Sequence, residues 1–248
     1  MEIIEIIDRF DESMGILRPF LCTADNGQPY FVKGKNAGIR GLIKEWICAK
    51  LAQAYGLPIP EPEILTIDPR LVKLAKPEWH DDLSCNFLFG SKSVAPCEIL
   101  TYSGISYIPE LELRDLLVFD HWIMNDDRNL TVKGGNVNLL QRNAPLHKER
   151  DWFIIDHNLA FDENYRDLPS NLNFHVAYKA WQDNPIDLID RVQYENRMGN
   201  TLTLLNTFIR DLPHEWIEWL AENDDTYMAK LQSTLDRYTQ DEFWGTLM

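Results

Sequence analysis

Most of the features that would make a sequence easy to classify are missing here. Cysteine is scarce: Cys22, Cys48, Cys85 and Cys97 are the only four in 248 residues, and none forms a CxxC pair. A disulfide scaffold or a zinc site needs denser, closely spaced thiols, so all four read as small core residues in a reducing compartment. No segment approaches the ~20 apolar residues of a membrane span. The opening Met1-Glu2-Ile3-Ile4-Glu5 lacks the basic flank and unbroken apolar run of a secretion signal. A cytoplasmic protein is therefore expected. Positive charge is also in short supply, with 24 Lys and Arg against 39 Asp and Glu, for a net charge of -15. That balance argues against proteins that hold nucleic acid or anionic membrane by neutralising phosphates, although a single cleft can still be locally basic. No serine sits in a GxSxG elbow, and no GxxxxGK[ST] loop occurs. The six histidines, at 80, 121, 147, 157, 175 and 214, show no metal-ligand spacing.

What is present is enough apolar material, 45% of residues, to bury one large domain or two small ones sharing a core. Periodicity divides the chain. Leu17 to Cys22 and Pro29 to Lys33 flank Asp25-Asn26-Gly27, a strong hairpin signal, and the chain is expected to open with that hairpin. A glycine-rich stretch, Gly34 to Gly41, leads into apolar positions at helical spacing, namely Ile43, Ile47, Leu51 and Ala54. Gly56 suits the helix end, and Pro58, Pro60 and Pro62 forbid continuation. Ile64 to Ile67 and Phe87-Leu88-Phe89 read as strands. From Leu111 a helix is expected with Leu113, Leu116, Leu117, Ile123 and Met124 on one face. Two short strands, Val137 to Gln141 and Trp152 to Ile155, follow. Beyond Leu168 the pattern is amphipathic helix, including Leu202 to Ile209, Trp216 to Leu220 and Met228 to Tyr238, with Trp216 and Trp219 packing its core. A strand-rich first part and a helical second part outline a two-lobed α+β domain.

Several side chains stand out against that outline. Lys33 ends a hairpin strand, where lysine is ordinarily a solvated surface group. The three glycines that follow, Gly34, Gly38 and Gly41, would let backbone amides approach phosphate oxygens. Glu45 lies off the Ile43-Ile47-Leu51 stripe, beside the small residues Cys48, Ala49 and Ala52, which admit a close neighbour. It is either solvated or placed to pair with Lys33. Asp120 falls in register with the apolar face of its helix, where a carboxylate needs hydrogen-bond donors. Backbone amides of the loop after the helix are the expected donors, making Asp120 a brace for Asp126 to Asn129. Asp127 is either a solvated acidic turn or a group able to accept a proton from an attacking hydroxyl. Trp152 to Ile155 ends in Asp156, the way a buried strand delivers a metal ligand, and Asn136 and Asn138 can add amide oxygen to the same hard cation. Phe89 lies on the strand that ends before Gly90.

These segments resemble the HipA-like kinase family, a compact, core-only branch of the protein-kinase and phosphatidylinositol-kinase-like folds. The likeness is carried by Tyr30-Phe31-Val32-Lys33 with Glu45-Trp46-Ile47 and Gly56-Leu57-Pro58-Ile59-Pro60, by Phe119-Asp120 with Asn125-Asp126-Asp127-Arg128-Asn129, and by Ile155-Asp156-His157. It implies one kinase domain over residues 1–248, with a small lobe and hinge at 1–108 and a helical lobe at 109–248. It further implies ATP and Mg²⁺ as cofactors, Lys33 on the nucleotide phosphates, the base along the Phe87 to Gly90 strand at Phe89, Asp127 as catalytic base and Asp156 with an asparagine on the metal. The acceptor would be a protein serine or threonine, and the chain could be a toxin restrained by an antitoxin-like partner. A pseudokinase, a nucleotide-binding module, or a small-molecule or lipid kinase are the alternatives. One departure stands out. Relatives place the metal-binding asparagine five residues after the catalytic aspartate, where this chain has Val132. Either Lys133-Gly134-Gly135 marks an insertion that returns the chain to Asn136 or Asn138, which is the favoured reading, or the metal site is altered.

Overall fold

Glu2–Arg9 forms a strand, β1, where the sequence reading begins only with the later hairpin. Its alternation is broken because the register with its neighbour shifts between Ile3 and Glu5 and again between Ile6 and Asp8. Bulged strands do not show a period of two. The hairpin itself forms as expected, from β2 (Phe20–Ala24) and β3 (Pro29–Lys33), with Phe20 opposite Val32 and Cys22 opposite Tyr30. The computed structural model describes residues 1–10, 17–94, 96–131, 133–142, 151–163, 165 and 172–248.

After β3 comes α1 (Gly38–Tyr55), which ends where Gly56 takes a left-handed φ of 89° and its amide closes onto Ala52 and Gln53. Only glycine adopts that backbone without cost. Next are β4 (Pro62–Ile67), the one-turn-and-a-half α2 (Pro69–Leu74) capped by Asp68, and β5 (Leu88–Lys92). The five strands close into a barrel in the order β1-β2-β3-β5-β4, with β4 running parallel to β1. Alternate residues, Phe20, Cys22, Ala24, Tyr30 and Val32, fill the barrel. Phe31 and Lys33 consequently face outward, towards α1.

The second part begins with β6 (Cys97–Ile99) and α3 (Glu110–Trp122). A three-stranded sheet, β6-β7-β8, joins β6 to the expected hairpin of β7 (Leu139–Arg142) and β8 (Trp152–Ile154). α3 stops earlier than its apolar pattern suggests: Met124 lies beyond its end and turns the chain at φ 52°. The expected Leu202–Ile209 helix is two helices, Leu188–Leu202 and Leu205–Arg210, interrupted at Thr203-Leu204. His214–Asn223 and Tyr227–Asp236 follow. Among the described residues no helix is long and apolar enough to cross a membrane. Cys22 and Cys48 are buried as expected, whereas Cys85 and Cys97 are only partly so.

α1 belongs to the core of the helical part as much as to the barrel. The Trp46 indole donates to the Phe208 carbonyl at 2.9 Å, and Arg40 pairs with Asp224 at 2.7 Å. The C-terminal end is tied in by His121 on α3, whose Nε2 bonds the Phe243 carbonyl at 3.0 Å and whose Nδ1 meets the Tyr165 hydroxyl at 3.2 Å. Burial, aided by nearby Arg237, lowers this imidazole to about 3. It stays neutral in the fold but charges in the unfolded chain below pH ~6.5. Its contribution to stability is therefore complete above that pH and is lost as pH falls towards 3. Between pH 7 and 4.5, denaturant titrations are expected to show wild type losing about 2 kcal/mol more than His121→Gln, whose amide keeps the donor but cannot titrate. Equal losses in the two proteins would mean that His121 is already charged in the fold.

Candidate active site

The alternation of β3 turns Lys33 out of the barrel and onto α1. There its ammonium donates to Glu45 Oε1 at 2.5 Å and to Asp156 Oδ1 at 2.7 Å. Glu45 can occupy this nearly sealed position, 2% exposed, because Cys48, Ala49 and Ala52 let the chain pack closely around it. Its second oxygen accepts the His157 amide at 3.1 Å. One carboxylate thus joins β3, α1 and the segment after β8. Burial opposes charge on Lys33, but the two carboxylates outweigh it and hold the ammonium above its ordinary range. Burial pushes Glu45 up to about 7, with Lys33 and the His157 amide pulling the other way. For Asp156 burial again favours the neutral form, yet Lys33 prevails and keeps it below the usual carboxylate value. Asp156 also holds a left-handed φ of 59°, a backbone conformation that costs free energy in a non-glycine residue.

Asp120 is a brace, as expected, but its donors are side chains rather than loop amides. Arg128 Nε donates at 2.7 Å, Asn125 Nδ2 at 2.8 Å and His175 Nε2 at 3.0 Å. Burial would raise this carboxyl, and Arg128 with His175 overcomes it, holding Asp120 far below its normal range. Arg128, itself fully buried, also donates to the Asn138 carbonyl at 2.6 Å and meets His157 Nε2 at 3.3 Å. A guanidinium only donates, so His157 Nε2 is the acceptor and that ring is neutral. Burial first, and Arg128 second, lower it to about 3. Neither Arg128 nor His175 carries a periodicity or spacing that would have given it a role; only their long-range partners do.

Asp127 follows this knot. Its Oδ2 accepts Asn136 Nδ2 at 2.7 Å and Asn138 Nδ2 at 3.2 Å, and its carbonyl accepts Asn138 Nδ2 at 3.0 Å. Burial raises its carboxyl in spite of these donors, with Asp156 adding to the rise. The Asn138 carbonyl in turn accepts the Ile155 amide at 3.0 Å. Asp127, Asn138 and the start of Asp156 therefore stand in one row. Val132 lies outside the described residues, but the chain on either side of it folds back. Thr131 bridges Gly134, and the Asn129 amide donates to the Asn136 carbonyl at 2.8 Å.

Among the described residues no group of three or more His, Cys, Asp or Glu side chains gathers as a metal cluster. A cation that keeps waters and takes phosphate oxygens needs only one or two protein oxygens. Asp156, partly open at 30% exposure, would supply one such oxygen, and Asn138, whose Nδ2 is turned to Asp127, would have its amide oxygen left for the other.

A cavity of about 230 Å³ opens beside Lys33, Glu45 and Asp156, lined also by Phe31, Ile59 and Ile154. Its lining differs from the sequence expectation in two respects. Gly34, Gly38 and Gly41 do not line it. In this turn Asp82 accepts the Asn36 amide at 2.8 Å on its carboxylate and the Lys35 amide at 2.9 Å on its carbonyl. A Cβ on Gly34 would sit 2.2 Å from that carbonyl. The cavity is bordered instead by Phe10, Leu17, Arg18 and Pro19, which flank the β1–β2 connection. The second difference concerns the base. Phe89 lines the cavity with its side chain, but β5 pairs with β3 at Lys33 and with β4 at Ile64. Its backbone has no free edge. Among the described residues β6 does: Leu100 and Glu98 turn their peptide groups towards β7, leaving those of Cys97 and Ile99 facing away, and all three β6 residues line the cavity.

The family model described as HipA-like kinase matches residues 3–247, well beyond the three segments that carry the likeness in the sequence. Among solved structures, the chain is similar to the proinflammatory kinase CtkA of Helicobacter pylori, with a TM-score of 0.48 and 11% identity over 89% of this chain and 90% of that one. No curated protein matches the chain.

Proposed function

Because the chain belongs to the HipA-like kinase family, we propose that it is a two-lobed, cytoplasmic kinase that uses ATP and Mg²⁺ to phosphorylate a protein serine or threonine. The observation that carries this reading is the Lys33 ammonium held between Glu45 and Asp156 at the edge of the cavity. It brings together residues 123 positions apart in the chain. Phosphates entering there compete with Asp156 for an ammonium that Glu45 keeps in place. The Cys97 and Ile99 peptide groups supply an acceptor and a donor for the edge of the base. Asp156 and Asn138 would hold the cation, which when bound neutralises charge on the phosphate oxygens. Asp127 aligns the acceptor hydroxyl and takes its proton. The folded-back chain around Val132 supports the insertion reading over an altered metal site, since it returns Asn138 to Asp127.

The test is transfer of labelled γ-phosphate by the purified chain with Mg²⁺, using Asp127→Asn and Asp156→Ala as controls. Wild type is expected to label itself or a protein acceptor, and the controls are not. Nucleotide that binds but is neither transferred nor hydrolysed would leave a nucleotide-binding module in place of a kinase. Lys33→Ala is expected to weaken ATP-analogue binding about 10- to 100-fold, the scale of a charge-assisted hydrogen bond. Its circular dichroism spectrum should remain that of wild type. An unchanged affinity would remove Lys33 from the phosphate site.

A further inference from the structure

We infer that Asn136 is a positioning residue for the Asp127 carboxylate and not a metal ligand, so that the two asparagines after the catalytic loop have separate tasks. The inference rests on the kinase reading above and divides a pair that the sequence leaves equivalent. Both amides reach Asp127 Oδ2, but their surroundings differ. Asn138 is buried, and its backbone is locked between Arg128 and Ile155, next to Asp156. Asn136 is solvent-exposed, and among the described residues its side chain has one hydrogen-bond partner, Asp127 Oδ2 at 2.7 Å. At that separation the amide nitrogen must face the carboxylate, because two oxygens so close would repel.

The folded-back chain is what holds Asn136 there. The Asn129 amide bonds the Asn136 carbonyl, and Thr131 Oγ1 donates to the Gly134 carbonyl at 2.9 Å. Gly135 packs so tightly that a Cβ would come within 2.3 Å of the Asn129 carbonyl oxygen. The insertion therefore adds a second donor that fixes the Oδ2 side of Asp127 and leaves Oδ1 for the acceptor hydroxyl. Fixing one oxygen limits the orientations from which the carboxylate can take a proton.

The experiment compares Asn136→Ala, Asn136→Asp, Asn138→Ala and Gly135→Ala. One arm measures phosphoryl-transfer kinetics; the other measures Mn²⁺ affinity by electron paramagnetic resonance with a non-hydrolysable ATP analogue. Asn136→Ala is expected to lower kcat about 10- to 100-fold, with KM for ATP and Mn²⁺ affinity within twofold of wild type. Asn136→Asp, equal in size but repelling Asp127, should be slower still, whereas a metal ligand would tolerate a carboxylate. Asn138→Ala should weaken Mn²⁺ at least tenfold. Gly135→Ala should reproduce the kcat loss with Asn136 intact, and adding Asn136→Ala to it should cost little more. Equal loss of Mn²⁺ affinity in the two alanine variants would make Asn136 a ligand and overturn the inference. Wild-type kcat in Asn136→Ala and Asn136→Asp, from an active wild type, would overturn it alone. A wild type that binds Mn²⁺ and nucleotide but transfers nothing would overturn the kinase reading and this inference together.

Discussion

Asp127→Asn is expected to lower kcat about 10³-fold while leaving ATP-analogue affinity and thermal stability close to wild type. Loss of a general base costs roughly 10²- to 10⁴-fold, and 10³-fold corresponds to about 4 kcal/mol of barrier. The asparagine keeps the shape of the carboxyl group, and by turning its Oδ1 towards Asn136 and Asn138 it keeps both hydrogen bonds. What it loses is the ability to take a proton. Among the described residues Asp127 makes no hydrogen bond to Lys33 or to the outer edge of β6, so nucleotide capture is expected to be untouched. Single-turnover transfer, analogue titration and a thermal melt together check this. A variant that retains a tenth or more of wild-type kcat would reduce Asp127 to an acidic turn.

The largest effect on stability is expected at Arg128. This guanidinium is fully buried, and Arg128→Met leaves the Asp120 carboxylate, 1% exposed, without its principal countercharge. Removing one partner of a buried pair costs about 3–5 kcal/mol, enough to lower the melting temperature of a chain this size by about 10 °C. The same change frees the Asn138 carbonyl and His157 Nε2, so phosphoryl transfer should fall as well. Adding Asp120→Leu removes the stranded charge and should recover part of the melting temperature but none of the activity. Stability and catalysis would then be separated in one pair of variants. If Arg128→Met melts within a degree of wild type, the buried network does not hold the loop in place.

The asymmetry between what could and could not be read beforehand follows interaction range. The Asn26-Gly27 hairpin, the α1 helix with its Gly56 stop and the strand ending in Asp156 were all foreseeable, because turn chemistry and side-chain period act within a few residues. The small residues on one side of α1 signalled a close neighbour but left Glu45 either solvated or paired with Lys33, and the fold chose the pairing. β1 escaped because its bulges spoil the period, and the end of α3 escaped because Met124 turns at a φ no propensity announces.

The sequence by itself determined the elements whose turns and period are local, such as the hairpin and α1, and the side chains chemically able to act: Lys33, Asp127, Asp156 and two asparagines. Tertiary structure alone decided which of those asparagines stands in the row with Asp156, that Asp82 accepts the Lys35 and Asn36 amides of the glycine-rich turn, and that Arg128 ties the row together. The physical reason is that a hydrogen bond is satisfied by whichever partner the folded chain brings within about 3 Å. For buried groups such as these, that partner is chosen by packing across the molecule and leaves no mark in local spacing.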